Sequence, residues 1–404
     1  MAGFLTAPDD QARSDMPTPL DRRMFLRATA VAGGTAAFAG ALWHQAFAGP
    51  AQPGTGPYGA LLAADANGLQ LPQGFSSRIV ARSMQRVAGT RHTWHPAPDG
   101  GACFPDGAGW IYVSNSEVPL VGGVSAIRFG ADGAVTSAYR TLNGTTLNCA
   151  GGATPWNTWL SCEEHDAGLV YETDPYGQKS ARSHPAMGRF KHEAAACDPD
   201  RKVVYLTEDQ SDGCFYRFRP SAWGDLSRGT LEVLLGTGTG PVRWEKVPNP
   251  QIWITPTRDQ VAGAMRFDGG EGCYYAGGVC YFTTKGDNRV WAYDAAAERL
   301  DLAYDDDLVT GAEPTLKGVD NITGAASGDL FVAEDGDDME INLITPDGTV
   351  APFVRVVGHD ESEITGPAFS PDGTRLYFSS QRGQSGFIGG TDGVTYEVTG
   401  PFRR

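Results

Sequence analysis

Apolar and polar residues along this chain come in short β-type runs, and no stretch sustains a helical period. Runs such as Trp110-Ile111-Tyr112-Val113, Val203-Val204-Tyr205-Leu206 and Leu376-Tyr377-Phe378 are separated by DG, GG and PDG turns. The 53 glycines and 26 prolines are spread through the chain and supply the turns. The pattern predicts an all-β protein.

The runs repeat. GGACFPDGAGWIYVSNSE ends at Glu117, NCAGGATPWNTWLSCEE starts at Asn148 and HEAAACDPDRKVVYLTED starts at His192. EGCYYAGGVCYFTTKGD follows from Glu271, DNITGAASGDLFVAED from Asp320 and EITGPAFSPDGTRLYFSSQ from Glu363. Each copy is a short strand, a tight turn and a longer aromatic strand. Later segments such as GCFYRF and NRVWAYD extend a copy towards a four-stranded blade. Six copies predict a six-bladed β-propeller, with a β-sandwich or a two-domain β protein as the alternative. The long gap between the third and fourth copies predicts an insertion there, including the Trp- and Pro-rich residues 242–256.

The first 48 residues have a different composition. Arg22-Arg23-Met24-Phe25-Leu26 precedes an Ala- and Gly-rich apolar stretch, and Ala46-Phe47-Ala48 offers a small-x-small cleavage site. This predicts a twin-arginine signal peptide over residues 1–48 and one propeller domain over 49–404, delivered to the periplasm or secreted. The apolar stretch is too short for a membrane span of about 20 residues. The twin-arginine translocase is the expected partner during export. Residues 1–48 hold four acids and four arginines, so the net charge of −16 belongs to the remainder. Such a surface disfavours nucleic acid and anionic membrane and favours cations.

In a propeller the first strand of each blade lines the axis, so equivalent positions converge there. The first recurring polar position holds Cys149, Glu193, Glu271, Asp320 with Asn321, and Glu363. The second holds Glu117, Glu163 with Glu164, Glu208 with Asp209, Asp287, Glu334 with Asp335, and Gln381. Acids gathered around one axis repel one another unless they protonate or bind cations. The expectation is therefore a multi-metal channel site with oxygen ligands and one thiolate. Absent CxxC and HExxH spacings argue against a closed zinc site. Neither a G-x-S-x-G elbow nor a Walker A loop is present.

Other acidic and histidine positions suggest less. Asp305-Asp306-Asp307 reads as a solvated loop, and Asp337, Asp338 and Glu340 as a surface turn. His92 and His95 suit packing or loop roles. The cysteine count of seven leaves at least one unpaired in an oxidising compartment. Cys149 is the candidate for the odd thiol, and a cross-strand pair between Cys273 and Cys280 is possible.

The segments NCAGGATPWNTWLSCEE, GRFKHEAAACDP, VYLTED and DNITGAASGDLFVAED resemble the PhoX-type alkaline phosphatases. That resemblance implies an exported six-bladed propeller with Fe³⁺ and Ca²⁺ in its channel and a small phosphorylated substrate. By position it assigns an iron-binding thiolate to Cys149. Metal carboxylates fall at Glu163, Glu164, Glu193 and Glu271, and Cys149, Glu193 and Glu271 form the implied reaction centre. Where the larger family members carry an arginine, this chain has Gly269. Lys285, Arg382 or Arg266 would then supply the cationic contact to phosphate oxygens. The implied activity is hydrolysis of phosphomonoesters, and of diesters as well. Two other readings stay open: a calcium-dependent propeller hydrolase of lactonase or diesterase type, and a non-catalytic metal-binding propeller.

Overall fold

The computed structural model describes residues 49–252, 254–336 and 338–404. The expected signal peptide, 1–48, lies outside the described residues. Six sheets follow one another along the chain as the blades of a propeller, antiparallel except where Gln52–Pro53 pairs in parallel with Thr349–Val356 at the edge of the fifth. Blade 1 runs Pro98–Asp106, Gly109–Ser116, Gly122–Phe129 and Val135–Thr145, from the axis outward. Blades 2, 3, 4 and 5 begin with Asn148–Ala153, His192–Asp198, Gly270–Ala276 and Val319–Gly324. Blade 6 takes Ile364–Phe369, Arg375–Ser380 and Val394–Thr399 from the C-terminal end and borrows its outer strand, Ser76–Arg82, from the N-terminal end. That borrowed strand closes the ring, so the two ends of the domain are held by ladder hydrogen bonds. Among the described residues no helix is long and apolar enough to cross a membrane.

Between the third and fourth blades, residues 236–269 contribute Arg243–Lys246 to the edge of blade 3 and Gly240–Pro241 to the edge of blade 4. A 3₁₀ turn at Thr257–Asp259 follows, and the Thr257 hydroxyl donates to the Arg189 carbonyl at 2.8 Å.

Central strands such as Gly109–Ser116 and Val203–Glu208 are buried along nearly their whole length because each blade is covered on both faces by its neighbours, which leaves six apolar clusters, one at each blade interface. Leu160 and Val170 meet Leu206 and Tyr216 between blades 2 and 3. Phe331 and Ile341 meet Leu376 and Phe378 between blades 5 and 6. Between blades 3 and 4, Phe215 stacks on Phe282 with ring centroids 4.1 Å apart. Such a pair contributes about 0.5–1.5 kcal/mol beyond its buried area.

Glycines let the innermost strands crowd the axis. A Cβ on Gly152 of blade 2 would lie 1.9 Å from the carbonyl oxygen of Ala195 in blade 3. One on Gly272 of blade 4 would lie 2.6 Å from the Ile322 amide of blade 5. Both distances are shorter than any atom could accept.

Every innermost strand also carries a register shift just after its start. The shifts fall between Pro98 and Gly101, Asn148 and Gly151, His192 and Ala195, Gly270 and Cys273, Val319 and Ile322, and Thr365 and Ala368. A bulge re-aims the side chain at the extra residue. Here those residues include Asp99, Cys149, Glu193, Glu271 and Asp320.

Packing corrects the expectations at Asp305 and Glu340 and agrees with those at the two histidines. Asp305 is buried and pairs with Arg289 at 2.8 Å, because the strand Arg299–Asp305 runs to it instead of ending before the acidic run. Glu340 begins a strand and is buried against Arg355 at 2.7 Å, so it belongs to blade 5 and not to a surface turn. Asp338 is exposed and pairs with the same arginine at 3.1 Å, while Asp337 lies outside the described residues. His92 and His95 take packing roles, with Nε2 atoms 3.2 Å from the Ser125 hydroxyl and 3.3 Å from the Ser114 hydroxyl. Cys273 and Cys280 do lie on one hairpin, but as separate thiols with sulfurs 3.4 Å apart. Their register is diagonal: Cys273 faces Phe282, and Cys280 faces Tyr275.

Candidate metal centre

The channel carries two layers of polar residues at one end. The inner layer is the set of bulge residues. Cys149 Sγ lies 3.1 Å from Glu193 Oε1 and 3.6 Å from Asp99 Oδ2. Three overlapping groups have donor atoms close enough to hold a cation: Asp99, Glu117 and Cys149; Cys149, Glu164 and Glu193; Glu193, Glu271 and Asp320. Cys149 links the first two groups, and Glu193 links the last two.

The outer layer follows from strand pairing. Ser116, Glu163, Glu208, Thr284, Glu334 and Ser380 face the starts of their innermost strands, so the residues after them form the ring. That ring is Glu117, Glu164, Asp209, Lys285, Asp335 and Gln381. Gln381 Nε2 donates to Asp99 Oδ2 at 2.6 Å and to Glu117 Oε2 at 2.8 Å. Lys285 Nζ lies 2.9 Å from Glu271 Oε1 and 3.2 Å from Asp335 Oδ2. Asp335 bridges to Glu363, whose Oε1 accepts from Arg382 at 2.9 Å.

The structure separates the paired acids that the sequence presents together. Only the second member of each pair joins the ring. Glu163 accepts from the Thr146 and Leu169 amides at 2.9 and 3.1 Å. Glu208 accepts from the Cys214 amide at 3.1 Å and the Tyr216 hydroxyl at 2.7 Å, and pairs with Arg258 at 3.1 Å. Glu334 accepts from the Lys317 and Glu340 amides at 2.9 and 3.1 Å. In all three the carboxylate ties down the amide six residues ahead, which fixes the loop leaving the ring. These are loop-holding acids, and their oxygens already have partners.

Asp287 also leaves the site. Its carboxylate accepts from the Thr284 hydroxyl and pairs with Arg289 at 2.6 Å, because Lys285 occupies its expected place in the ring. Asn321 supports its neighbour: Nδ2 donates to Asp320 Oδ1 at 2.9 Å, and Oδ1 accepts from the Gly366 amide at 2.6 Å. Arg266 is engaged by Asp259 at 2.9 Å. Gly269 has φ of +68°, a conformation that an arginine side chain would strain.

Asp99 was not among the sequence candidates. It sits one residue before the first copy as that copy is written out, inside a PDGG stretch that reads as a turn. Aligning Asp99-Gly100-Gly101 with Cys149-Ala150-Gly151 and Glu193-Ala194-Ala195 would have placed it in the inner layer.

Electrostatics show the cost of this arrangement without cations. Burial, then Glu117, push Asp99 up to about 8. Burial, then Glu117 and Asp209, push Glu164 up to about 9. Burial, then Glu271 and Glu164, raise Glu193 well above the usual carboxylate range. Burial, then Asp99 and Glu193, raise the Cys149 thiol. Burial alone would lower the Lys285 ammonium, but Glu271, Asp320 and Asp335 outweigh it and hold it raised. A multivalent cation reverses this balance by favouring the charged ligands, so loading should release protons. Glu193 Oε2 is buried and has no partner. An unpartnered carboxylate oxygen between two donor groups is where a cation fits.

The other end of the channel opens into a cavity of about 330 Å³ lined by Gly101, Gly152, Ala195, Cys273, Gly324 and Phe369 among others, with no charged side chain.

A family model described as alkaline phosphatase PhoX matches residues 112–168 and 164–314, about half of the chain. No curated protein sequence matches. Among solved structures, Pseudomonas fluorescens PhoX in complex with vanadate, a transition state analogue, superposes with a TM-score of 0.68 at 18% identity. That match covers 87% of this chain and 98% of the other. A gluconolactonase from Xanthomonas campestris superposes less well, with a TM-score of 0.50 at 13% identity over 87% of this chain and 98% of its own. Both likenesses support the six-bladed fold. The family match spans Cys149, Glu164, Glu193, Asp209, Glu271 and Lys285, six of the residues that meet in the channel. By that match, this chain belongs to the alkaline phosphatase PhoX family.

Proposed function

We propose that the chain is an exported, metal-dependent phosphatase that hydrolyses phosphomonoesters, and diesters in the same channel, with Fe³⁺ and Ca²⁺ as resident cations. The observation that carries this reading is the junction at Glu193. Its buried, unpartnered Oε2 sits where a thiol-containing donor group and an all-carboxylate group share one side chain. The donors fit that mixture, since a thiolate suits iron and carboxylates suit calcium. When bound, such cations neutralise a phosphate and polarise its P–O bonds.

The chain's own residues then hold and orient. Cys149 and Glu193 would each offer a donor to two of the cation groups. Asp99 and Glu117 are fixed by Gln381. Arg382, tied to Glu363 through one nitrogen, keeps its buried Nε unpartnered and free to meet a phosphate oxygen. Because the carboxyls are raised in the cation-free state, loading is expected to strengthen as pH rises.

Protein loaded with calcium and iron should turn over an aryl phosphate at alkaline pH and lose that activity to a strong chelator. If no monoester or diester reacts, the phosphatase reading is wrong. Turnover of a lactone panel would then favour the lactonase-type alternative. Periplasmic fractionation of the full chain tests export.

Iron at Cys149 has its own signature. The loaded protein should be coloured through thiolate-to-iron charge transfer. Cys149→Ser should lose the colour, because a hydroxyl is deprotonated far less readily than a thiol. Cys162→Ser should keep it, since Cys162 is buried between blades 2 and 3. A colourless wild type that nonetheless contains iron would remove the thiolate from the ligand set.

A further inference from the structure

Five of the six outer-ring positions carry an acid or an amide, and the sixth carries Lys285. Its ammonium stands 2.9 Å from Glu271 and 3.2 Å from Asp335, where a cation would draw on the same oxygens. Glu271 is also one of the three donors of the Glu193–Glu271–Asp320 group. We propose that Lys285 is a built-in competitor for the cation at that group, which makes it the weakest and most exchangeable cation position in the channel.

The other two groups face less competition. Asp99 and Glu117 are held by the neutral amide of Gln381. Lys191 approaches Glu164 only to 3.6 Å and reaches a single acid. Lys285 instead bridges two carboxylates, and its backbone is pinned where its amide donates to the Gly269 carbonyl at 2.8 Å. The side chain is 36% exposed, so the ammonium can move into water when a cation enters. A flexible four-carbon stem with a strongly hydrated head suits such a movement. The position thus takes two states, one closed by the ammonium and one filled by a divalent cation. Its occupancy then changes with free cation at higher concentrations than that of the other positions.

The inference rests on the metal-binding part of the proposed function but not on turnover. Calcium binding is measured by equilibrium dialysis on wild type, Lys285→Met and Lys285→Arg, each prepared with its other metals in place. Wild type should show one site weaker than the rest. Lys285→Met should tighten that site at least tenfold and leave the others unchanged, whereas Lys285→Arg should keep it weak. Unchanged isotherms in Lys285→Met, or a weakened site, overturn the proposal. If Lys285→Met does not fold, acetylation of wild type read by mass spectrometry decides. Modification of Lys285 should rise when calcium is added, and equal or lower labelling refutes displacement. A protein that binds no divalent cation sinks both this inference and the metal-centre reading. An isotherm as expected with no phosphatase turnover sinks only the catalytic reading.

Discussion

Glu193→Gln should leave a folded propeller that has lost bound metal and nearly all activity. Glu193 is fully buried and is the only residue shared by the thiol-containing group and the Glu271–Asp320 group. The amide keeps the shape of the side chain but offers one neutral oxygen in place of a charged carboxylate. Cations held by either group would lose a ligand at once. We expect metal content to fall by at least one ion per chain. The second-order rate constant should fall about a thousandfold, which corresponds to about 4 kcal/mol of transition-state stabilisation. Elemental analysis and kcat/KM, taken with a thermal melt to confirm folding, check the expectation. A variant with full metal content and wild-type rate would remove Glu193 from the site. The substitution also removes a carboxyl that resists ionisation without cations, so apo stability should hold or rise.

Gly152→Val should be among the most damaging single changes outside the metal ligands. The glycine lies on the innermost strand of blade 2, where its missing side chain admits the Ala195 carbonyl oxygen of blade 3. A valine must push those strands apart. The same two strands carry Cys149 and Glu193, whose reactive atoms are 3.1 Å apart. The expected loss is about 3 kcal/mol or more of stability, at the upper end for overpacking. Metal content should fall even in the fraction that folds. Denaturant midpoints and metal analysis on the same preparation measure both effects. A wild-type midpoint would show that the strands have room to separate and that the close approach is not structural.

Much of the architecture was legible in the chain because each blade repeats a local pattern. Short aromatic strands alternating with Gly- and Pro-rich turns identify β structure, and six copies set the blade number. Cys149, Glu193, Glu271 and Asp320 were legible as candidates because they recur at one offset in those copies, and Glu164 because it recurs at a second. The closing strand Ser76–Arg82 was not legible, because it belongs to no copy and pairs with Val394–Thr399 only through the closed ring.

Tertiary structure decided which acids work together. In sequence Glu163 and Glu164 are equivalent neighbours, yet one points back to hold the loop at Leu169 and the other joins the channel ring. Side-chain alternation sends adjacent residues to opposite sides, and only the register with the facing strand says which side is the channel. Asp99 stayed hidden for a related reason. A bulge turns it into the channel, and the bulge exists only once Pro98–Asp106 pairs with Gly109–Ser116. Local hydrophobic pattern determined strands, blade number and candidate chemistry. Pairing register and blade closure, which depend on contacts distant in sequence, decided which of those side chains share one electrostatic environment.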